Sequence, residues 1–261
     1  MAPRRSRIPI LVRGILALVL LIALGVSLPA ADFTATSPTP AASPILEPAR
    51  EGQEIAAKLR SAAPEESSEF SGVLEITAKD GRQRFIPLVS TITITSTNWQ
   101  VVYRTAPTNG APAETLTILH APGQSNRYTL ATGAKPAAAA PLTHAFAGSD
   151  FWLLDLGLEF FHWPQQRALR AEMSRSRPVR VLESVTPRPV PEGYARVLSW
   201  IDNETGGILQ AEACDAQNKL LKKFKLGSFQ KIQGQWQLRD MAIRNVRTGQ
   251  QTDLKFDLPQ K

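Results

Sequence analysis

Apolar and polar positions alternate with a period of two over most of this chain. Phe70, Leu74, Ile76 and Ala78 interleave with Ser71, Val73, Glu75, Thr77 and Lys79, the pattern of a strand with one buried face. Asp80-Gly81 follows, a strong hairpin signal. Further strands are predicted at Arg84–Ser96, Trp99–Thr105, Glu114–His120 and Arg127–Ala131. After Pro164 they resume at Arg167–Ser174, Val179–Val185, Tyr194–Asp202, Ile208–Asp215, Leu220–Gln230, Gln235–Val246 and Thr252–Leu258. Turn chemistry separates them, including Asn109-Gly110, Pro122-Gly123, Asn203–Gly207, Gln233-Gly234 and Thr248-Gly249. Short connections imply antiparallel neighbours. The pattern predicts a mainly β protein built on a single large curled antiparallel sheet, with a few helices on its concave side.

Two stretches break the period. Ala49–Ala62 carries Ile55, Ala56 and Leu59 at helical spacing and predicts an amphipathic helix. Ser149–Trp163 reads as a helix that is apolar nearly all round, with Ser149 as N-cap, Asp150 at the positive end of the dipole and Pro164 as the stop. Only Asp155, Glu159 and His162 are polar in its body, on one stripe at i, i+4 and i+7. Such a segment has no wet face, so it is expected to plug the hollow of the sheet. Thr132–Leu142, with four consecutive alanines between Pro136 and Pro141, reads as a mobile loop or, alternatively, one helical turn.

Composition adds a compartment. The chain has 261 residues and a net charge of +7. Arg4, Arg5, Arg7 and Arg13 precede an apolar run, Gly14–Leu28, and the small residues Pro29-Ala30-Ala31. That order describes a signal peptide over 1–31, cleaved after Ala30 or Ala31, and hence a periplasmic protein. An uncleaved anchor is the alternative, but the run falls short of the roughly twenty residues a span needs. Asp32–Pro48, rich in Ala, Pro, Ser and Thr, reads as a flexible linker, leaving 49–261 as the folded domain. The rest of the chain is close to neutral, which disfavours nucleic acid as a partner.

No catalytic signature is present: no G-x-S-x-G, P-loop or H-E-x-x-H. His120, His144 and His162 are scattered, and the single Cys214 excludes an internal disulfide and a thiolate metal cluster. No metal, cofactor or enzymatic activity is expected. Two basic runs, Arg167 to Arg180 and Lys219 to Lys225, read as solvated strand edges, with contact to anionic head groups as the sharper alternative. Asn203-Glu204-Thr205 matches a glycosylation sequon but reads as a turn.

The run Phe146-Ala147-Gly148-Ser149-Asp150-Phe151 resembles the G-[ST]-D-F segment of LolA-like outer-membrane lipoprotein-sorting proteins. So do Val181-Leu182-Glu183-Ser184, Val197-Leu198-Ser199-Trp200-Ile201-Asp202 and Leu220-Leu221-Lys222-Lys223-Phe224. Trp236-Gln237-Leu238, Asp240-Met241 and Thr248-Gly249 with Thr252 complete the likeness, which covers roughly Phe70 to Leu258. It implies an unclosed half-barrel with helices on its concave side and a cavity for acyl chains of lipoproteins or lipids. The linker and the Thr132–Leu142 stretch depart from the compact members of that family. On this reading Trp152, Leu153, Leu156, Phe160 and Trp163 form the lid of the cavity, and Trp99, Tyr103 and Trp200 its floor. The expected role is a monomeric lipid or lipoprotein carrier working between membrane-associated donor and acceptor proteins. A sensor or scaffold that binds lipoproteins or a membrane regulator is the alternative, and a hydrolase a distant third.

Overall fold

A computed structural model describes residues 47–108, 111–232 and 235–257. The signal peptide, nearly all of the linker and the Asn109-Gly110 and Gln233-Gly234 turns lie outside the described residues. Among the described residues, no helix is long and apolar enough to cross a membrane.

The chain enters as α1 (Pro48–Ser61), with Pro48 at its first turn, Glu51 at its positive end, and Lys58 and Arg60 in its last turn. Five strands follow as a meander: β1 (Ser68–Thr77), β2 (Gln83–Ile94), β3 (Trp99–Thr105), β4 (Glu114–His120) and β5 (Arg127–Thr132). After an irregular segment come β6 (Gln165–Ser174), β7 (Arg177–Val185), β8 (Arg196–Asp202), β9 (Ile208–Cys214) and β10 (Leu220–Leu226). A small hairpin, β11 (Phe229–Ile232) and β12 (Gln235–Leu238), precedes β13 (Asp240–Asn245) and β14 (Gln251–Phe256). Twelve strands form one antiparallel sheet in the order β5-β4-β3-β2-β1-β14-β13-β10-β9-β8-β7-β6. The two meanders are thus joined by β1–β14, the first strand paired with the last.

The sheet does not close, because β5 and β6 stand at its opposite ends. Each end is covered, as an exposed edge would invite pairing with another chain. Ala138 exchanges two backbone hydrogen bonds with Leu130 of β5, at 2.8 and 3.0 Å, so the Ala-rich stretch runs extended along this edge instead of forming a helical turn. At the other end α1 packs on β6. Gly52 permits the approach: a Cβ there would stand 2.5 Å from the Arg167 backbone nitrogen. The side chain of Arg175, in the β6–β7 turn, reaches the Leu226 carbonyl at the end of β10, across two intervening strands. The sheet is therefore strongly curled.

Two predicted strands each divide. Leu220–Gln230 and Gln235–Val246 both leave the main sheet midway, at Gly227-Ser228 and Arg239-Asp240. There Gly227 N–H donates to the Asp240 carbonyl and Arg239 N–H to that of Ser228, both at 2.9 Å. The excursion is the β11–β12 hairpin.

The segment Ser149–Trp163 is not one helix. It contains a single α-turn, α2 (Leu153–Leu156), flanked by 3-10 turns at Phe146–Gly148 and Glu159–His162. Gly157 ends the α-turn, and Leu158 takes the left-handed conformation at φ 50°. Ser149 is not an N-cap: its Oγ accepts the Phe151 N–H at 3.2 Å in a local turn. Asp155 does the capping, accepting the Trp152 N–H at 2.8 Å. Together with the turn before it, residues 146–163, the segment nevertheless fills the hollow, as its composition requires: Phe146, Phe151, Leu153 and Phe161 are all at or below 2% exposure. It is called the plug below.

Candidate functional site

The plug divides the concave face into two apolar clusters. On one side Leu153, Leu156 and Phe151 pack with Tyr103, Leu116, Ile118 and Leu254, and Trp99 lies against them. On the other side Leu154, Phe160 and Phe161 pack with Ala56, Leu182, Val197 and Leu221, with Trp152 and Trp163 against them. Aromatic pairs tie the plug to the sheet. Tyr103 meets Phe146 at 6.2 Å and Trp152 stacks on Tyr194, just ahead of β8, at 4.7 Å, while Phe160 and Trp163 meet edge-on at 6.4 Å within the plug itself.

Seven of the eight residues expected to line a cavity are thus gathered around the plug: Trp99, Tyr103, Trp152, Leu153, Leu156, Phe160 and Trp163. Trp200 is not. It belongs to a separate cluster with Val179, Val181 and Leu209, on the face of β8 opposite to Val197 and Ile201. Glu172 accepts a hydrogen bond from its indole nitrogen. Strand β8 is apolar on both faces, so alternation alone does not say which face looks inward.

A buried segment with little regular helix must find partners for its peptide groups elsewhere. Here side chains supply them. Arg84 donates to the Gly148 carbonyl at 3.1 Å, Lys222 to Asp150 at 2.6 Å and Asn126 to Gly157 at 2.8 Å. Gln166 donates to both Phe160 and Trp163 at 2.9 Å, and Arg60 to Phe161. Glu114 accepts the Ala147 N–H at 2.7 Å while pairing with His144 at 3.1 Å. These groups have no local signature in the sequence. They come from four strands, two loops and α1, and only the fold assembles them.

Lys222 is the clearest departure from expectation. It was grouped with solvated strand-edge lysines, yet it is 2% exposed, while Lys223 and Lys225 beside it are exposed. Its ammonium lies 3.4 Å from Asp155 Oδ2 and 3.6 Å from the Trp152 ring centroid. Asp155 also accepts the Tyr194 hydroxyl at 3.0 Å. Burial lowers the Lys222 pKa and raises that of Asp155, each opposed by the attraction of the other. The other basic run, Arg167 to Arg180, is also engaged: Arg177 pairs with Asp202 and Glu204, Arg180 with Glu51, and Arg170 with Glu172.

Two more carboxylates of the plug are buried. Asp150 accepts the Thr252 hydroxyl at 2.9 Å, and burial raises its pKa. Glu159 accepts the Tyr128 hydroxyl at 2.9 Å, and its pKa is pushed up to about 7, chiefly by burial. The stripe Asp155, Glu159 and His162 therefore does not face water. Its two carboxylates face polar groups of the sheet instead.

The gaps between the described residues beside the plug are small. A cleft of about 60 Å³ lies between α1, the plug and β3, lined by Trp99, Tyr103, His120 and Leu156 among others. His120 stacks on Trp99 at 3.7 Å. Deeper gaps measure about 10 and 30 Å³. A wider cleft of about 620 Å³ opens at the other side, walled by Trp152, Lys222, Glu192 and Arg247. Ligand pockets typically measure about 300–1,000 Å³, and the three smaller gaps between the described residues fall well below that range. Among the described residues, no group of three His, Cys, Asp or Glu could hold a metal ion.

A family model described only as an uncharacterized protein matches residues 96–260. A comparison with curated proteins gives no match. Solved structures do match. A DUF1329 family protein from Desulfovibrio piger aligns with a TM-score of 0.65 and 16% identity over 81% of this chain and 92% of its own. A domain named for outer membrane lipoprotein sorting, from Vibrio parahaemolyticus, gives 0.64 and 20% over 80% and 92%. A LolA superfamily protein from Nitrosomonas europaea gives 0.56 and 18% over 81% and 94%. At such identities the likeness is one of fold, and the fold is the open half-barrel with a plugged hollow.

Proposed function

The chain belongs to that uncharacterized family and has a LolA-like fold, and from this premise we propose that it is a periplasmic, non-enzymatic protein that shelters acyl chains of lipids or lipoproteins between plug and sheet. The observation that carries the reading is the plug itself: an apolar segment laid in the hollow and held mainly by side-chain hydrogen bonds to its carbonyls. It lacks the continuous helix that would make it one rigid body. Segmental attachment lets part of it lift while the rest stays docked. Removing one methylene from water is worth about 0.8 kcal/mol, so a long acyl chain gains on the order of 10 kcal/mol in a dry hollow without polar contacts. That gain is large enough to offset displacement of a few plug side chains. Trp99, Tyr103, Leu153, Leu156 and Phe160 are the wall such a chain would touch, with Trp152 and Trp163 at its margins. Residues 1–31 would direct export and 32–48 would act as a tether to the domain that follows, working as a monomer with membrane-associated donor and acceptor proteins.

Gentle purification followed by lipid extraction and native mass spectrometry tests this. Acyl species bound in stoichiometric amount are expected. A protein that carries none, and that fails to take up fatty acyl probes, overturns the proposal. The small gaps between plug and sheet favour one second reading, a sensor: a ligand entering them would displace the plug, and binding would change the surface offered to a membrane regulator. Cross-linking in the periplasm separates the two, a lipoprotein cargo pointing to a carrier and an inner-membrane regulator to a sensor.

A further inference from the structure

The cleft beside α1 stands apart in charge. Three basic side chains line it: Arg60 from the last turn of α1, His162 from the end of the plug and His120 from the end of β4. No carboxylate is among its lining residues. Elsewhere the fold sets buried or half-buried basic groups against carboxylates, as with Lys222 and Asp155, Arg180 and Glu51, Arg196 and Glu183, and His144 and Glu114. Here Arg60 donates to a carbonyl instead, that of Phe161, which occupies one arm of the guanidinium. Glu159, just ahead of His162, does not line the cleft; its carboxylate is turned to the Tyr128 hydroxyl of β5.

The two imidazoles are neutral at rest. Burial pushes the pKa of His120 down to about 4, with the charge of His162 adding to the effect. Burial likewise pushes that of His162 down to about 4, with Arg60 adding to it. The three groups repel one another once charged, and an anion among them reverses the sign of that interaction. Trp99 supports the charged form: it pairs with His120 across β3 and β4, and its ring stacks on the imidazole at 3.7 Å, an arrangement that favours an imidazolium. The cleft, about 60 Å³, is several times the roughly 10–15 Å³ that one water needs, room for a carboxylate or phosphate group but not for a whole acyl chain. All three basic residues are half-buried, so an ion from solvent can reach them. The guanidinium disfavours a metal ion, and among the described residues no third metal ligand joins the two imidazoles.

We propose that this cleft binds a small oxyanion, a carboxylate, phosphate or sulfate group, held by the Arg60 guanidinium together with His162 and His120. One imidazole takes up a proton as the anion enters. The site does not depend on the acyl-binding reading, because the same donors serve a free ion or the head group of a lipid.

Titration calorimetry with sulfate and with octyl sulfate tests it, since neither probe changes its own charge near neutral pH. Binding is expected to tighten about tenfold for each pH unit of acidification below neutrality, the slope of one coupled proton, and to take up close to one proton when buffers of different ionisation heat are compared. Arg60→Gln, which keeps a donor for the Phe161 carbonyl, should weaken binding roughly tenfold or more. Of His162→Gln and His120→Phe, the latter keeping a ring on Trp99, at least one should flatten the pH slope. Glu159→Gln should leave the proton uptake in place, which separates the imidazoles from that buried carboxylate. Binding of sulfate itself identifies a site for a free oxyanion, and binding of octyl sulfate alone a site for a lipid head group; both support the proposal. Native protein that binds neither probe at about pH 6, binding without proton uptake, a pH slope retained in both histidine variants, or Arg60→Gln with native affinity would overturn it.

Discussion

Lys222→Met removes the charge beneath the plug while keeping a side chain of similar length. The ammonium donates to the Asp150 carbonyl at 2.6 Å, faces Asp155 at 3.4 Å and lies over the Trp152 ring. Losing one partner of a buried ion pair typically costs about 3–5 kcal/mol. Two facts place this case at the lower end. Asp155 keeps the Tyr194 hydroxyl and the Trp152 N–H, and the methionine no longer has to desolvate a charge. About 3 kcal/mol is expected, which for a domain of this size lowers Tm by roughly 6–12 °C. Lys225→Met, at an exposed position of the same strand, should change stability by less than about 0.5 kcal/mol. The Lys222→Met loss should shrink on acidification, because Asp155, left without its cation, can then be protonated. Adding Asp155→Asn should recover about 1 kcal/mol or more relative to the sum of the single effects. Calorimetric or urea unfolding reads all four proteins. A Lys222→Met protein whose Tm matches that of Lys225→Met would refute the claim that this ion pair anchors the plug.

Glu159 gives a pH dependence. Its folded pKa of about 7 lies above the usual carboxylate value, so the native state binds the extra proton and stability should rise as pH falls from about 7 to 4.5. Glu159→Gln, which retains an acceptor for the Tyr128 hydroxyl, should flatten that part of the profile. A Glu159→Gln profile identical to the native one would exclude Glu159 as its source. Tyr103→Phe removes a buried hydroxyl that has no hydrogen-bond partner among the described residues and should leave Tm unchanged or raise it by an amount equivalent to about 1 kcal/mol; a clear loss would mean that the hydroxyl is satisfied. Gly52→Ala forces a Cβ against the Arg167 backbone and should cost roughly 2 kcal/mol or more in urea unfolding, with α1 no longer seated on β6; a neutral result would show that the helix can move aside freely.

Alternation along the strands was enough to predict a curled antiparallel sheet, because a half-buried strand must present apolar groups on every second residue. Turn chemistry also set the approximate bounds of most strands, except where Gly227 and Asp240 divert the chain into the β11–β12 hairpin. The apolar composition of Ser149–Trp163 likewise required burial and so placed the segment in the hollow. Its conformation was another matter. Helical spacing suggested one continuous helix, whereas Asn126, Arg60 and Lys222, remote in sequence, satisfy carbonyls of a broken one. Burial of Lys222 beside exposed Lys223, and the outward face of Trp200, were equally decided by the assembled sheet. Local pattern reports whether a side chain prefers water, but which partner meets a polar group, and which face of a doubly apolar strand turns inward, depend on elements that only the tertiary structure brings together.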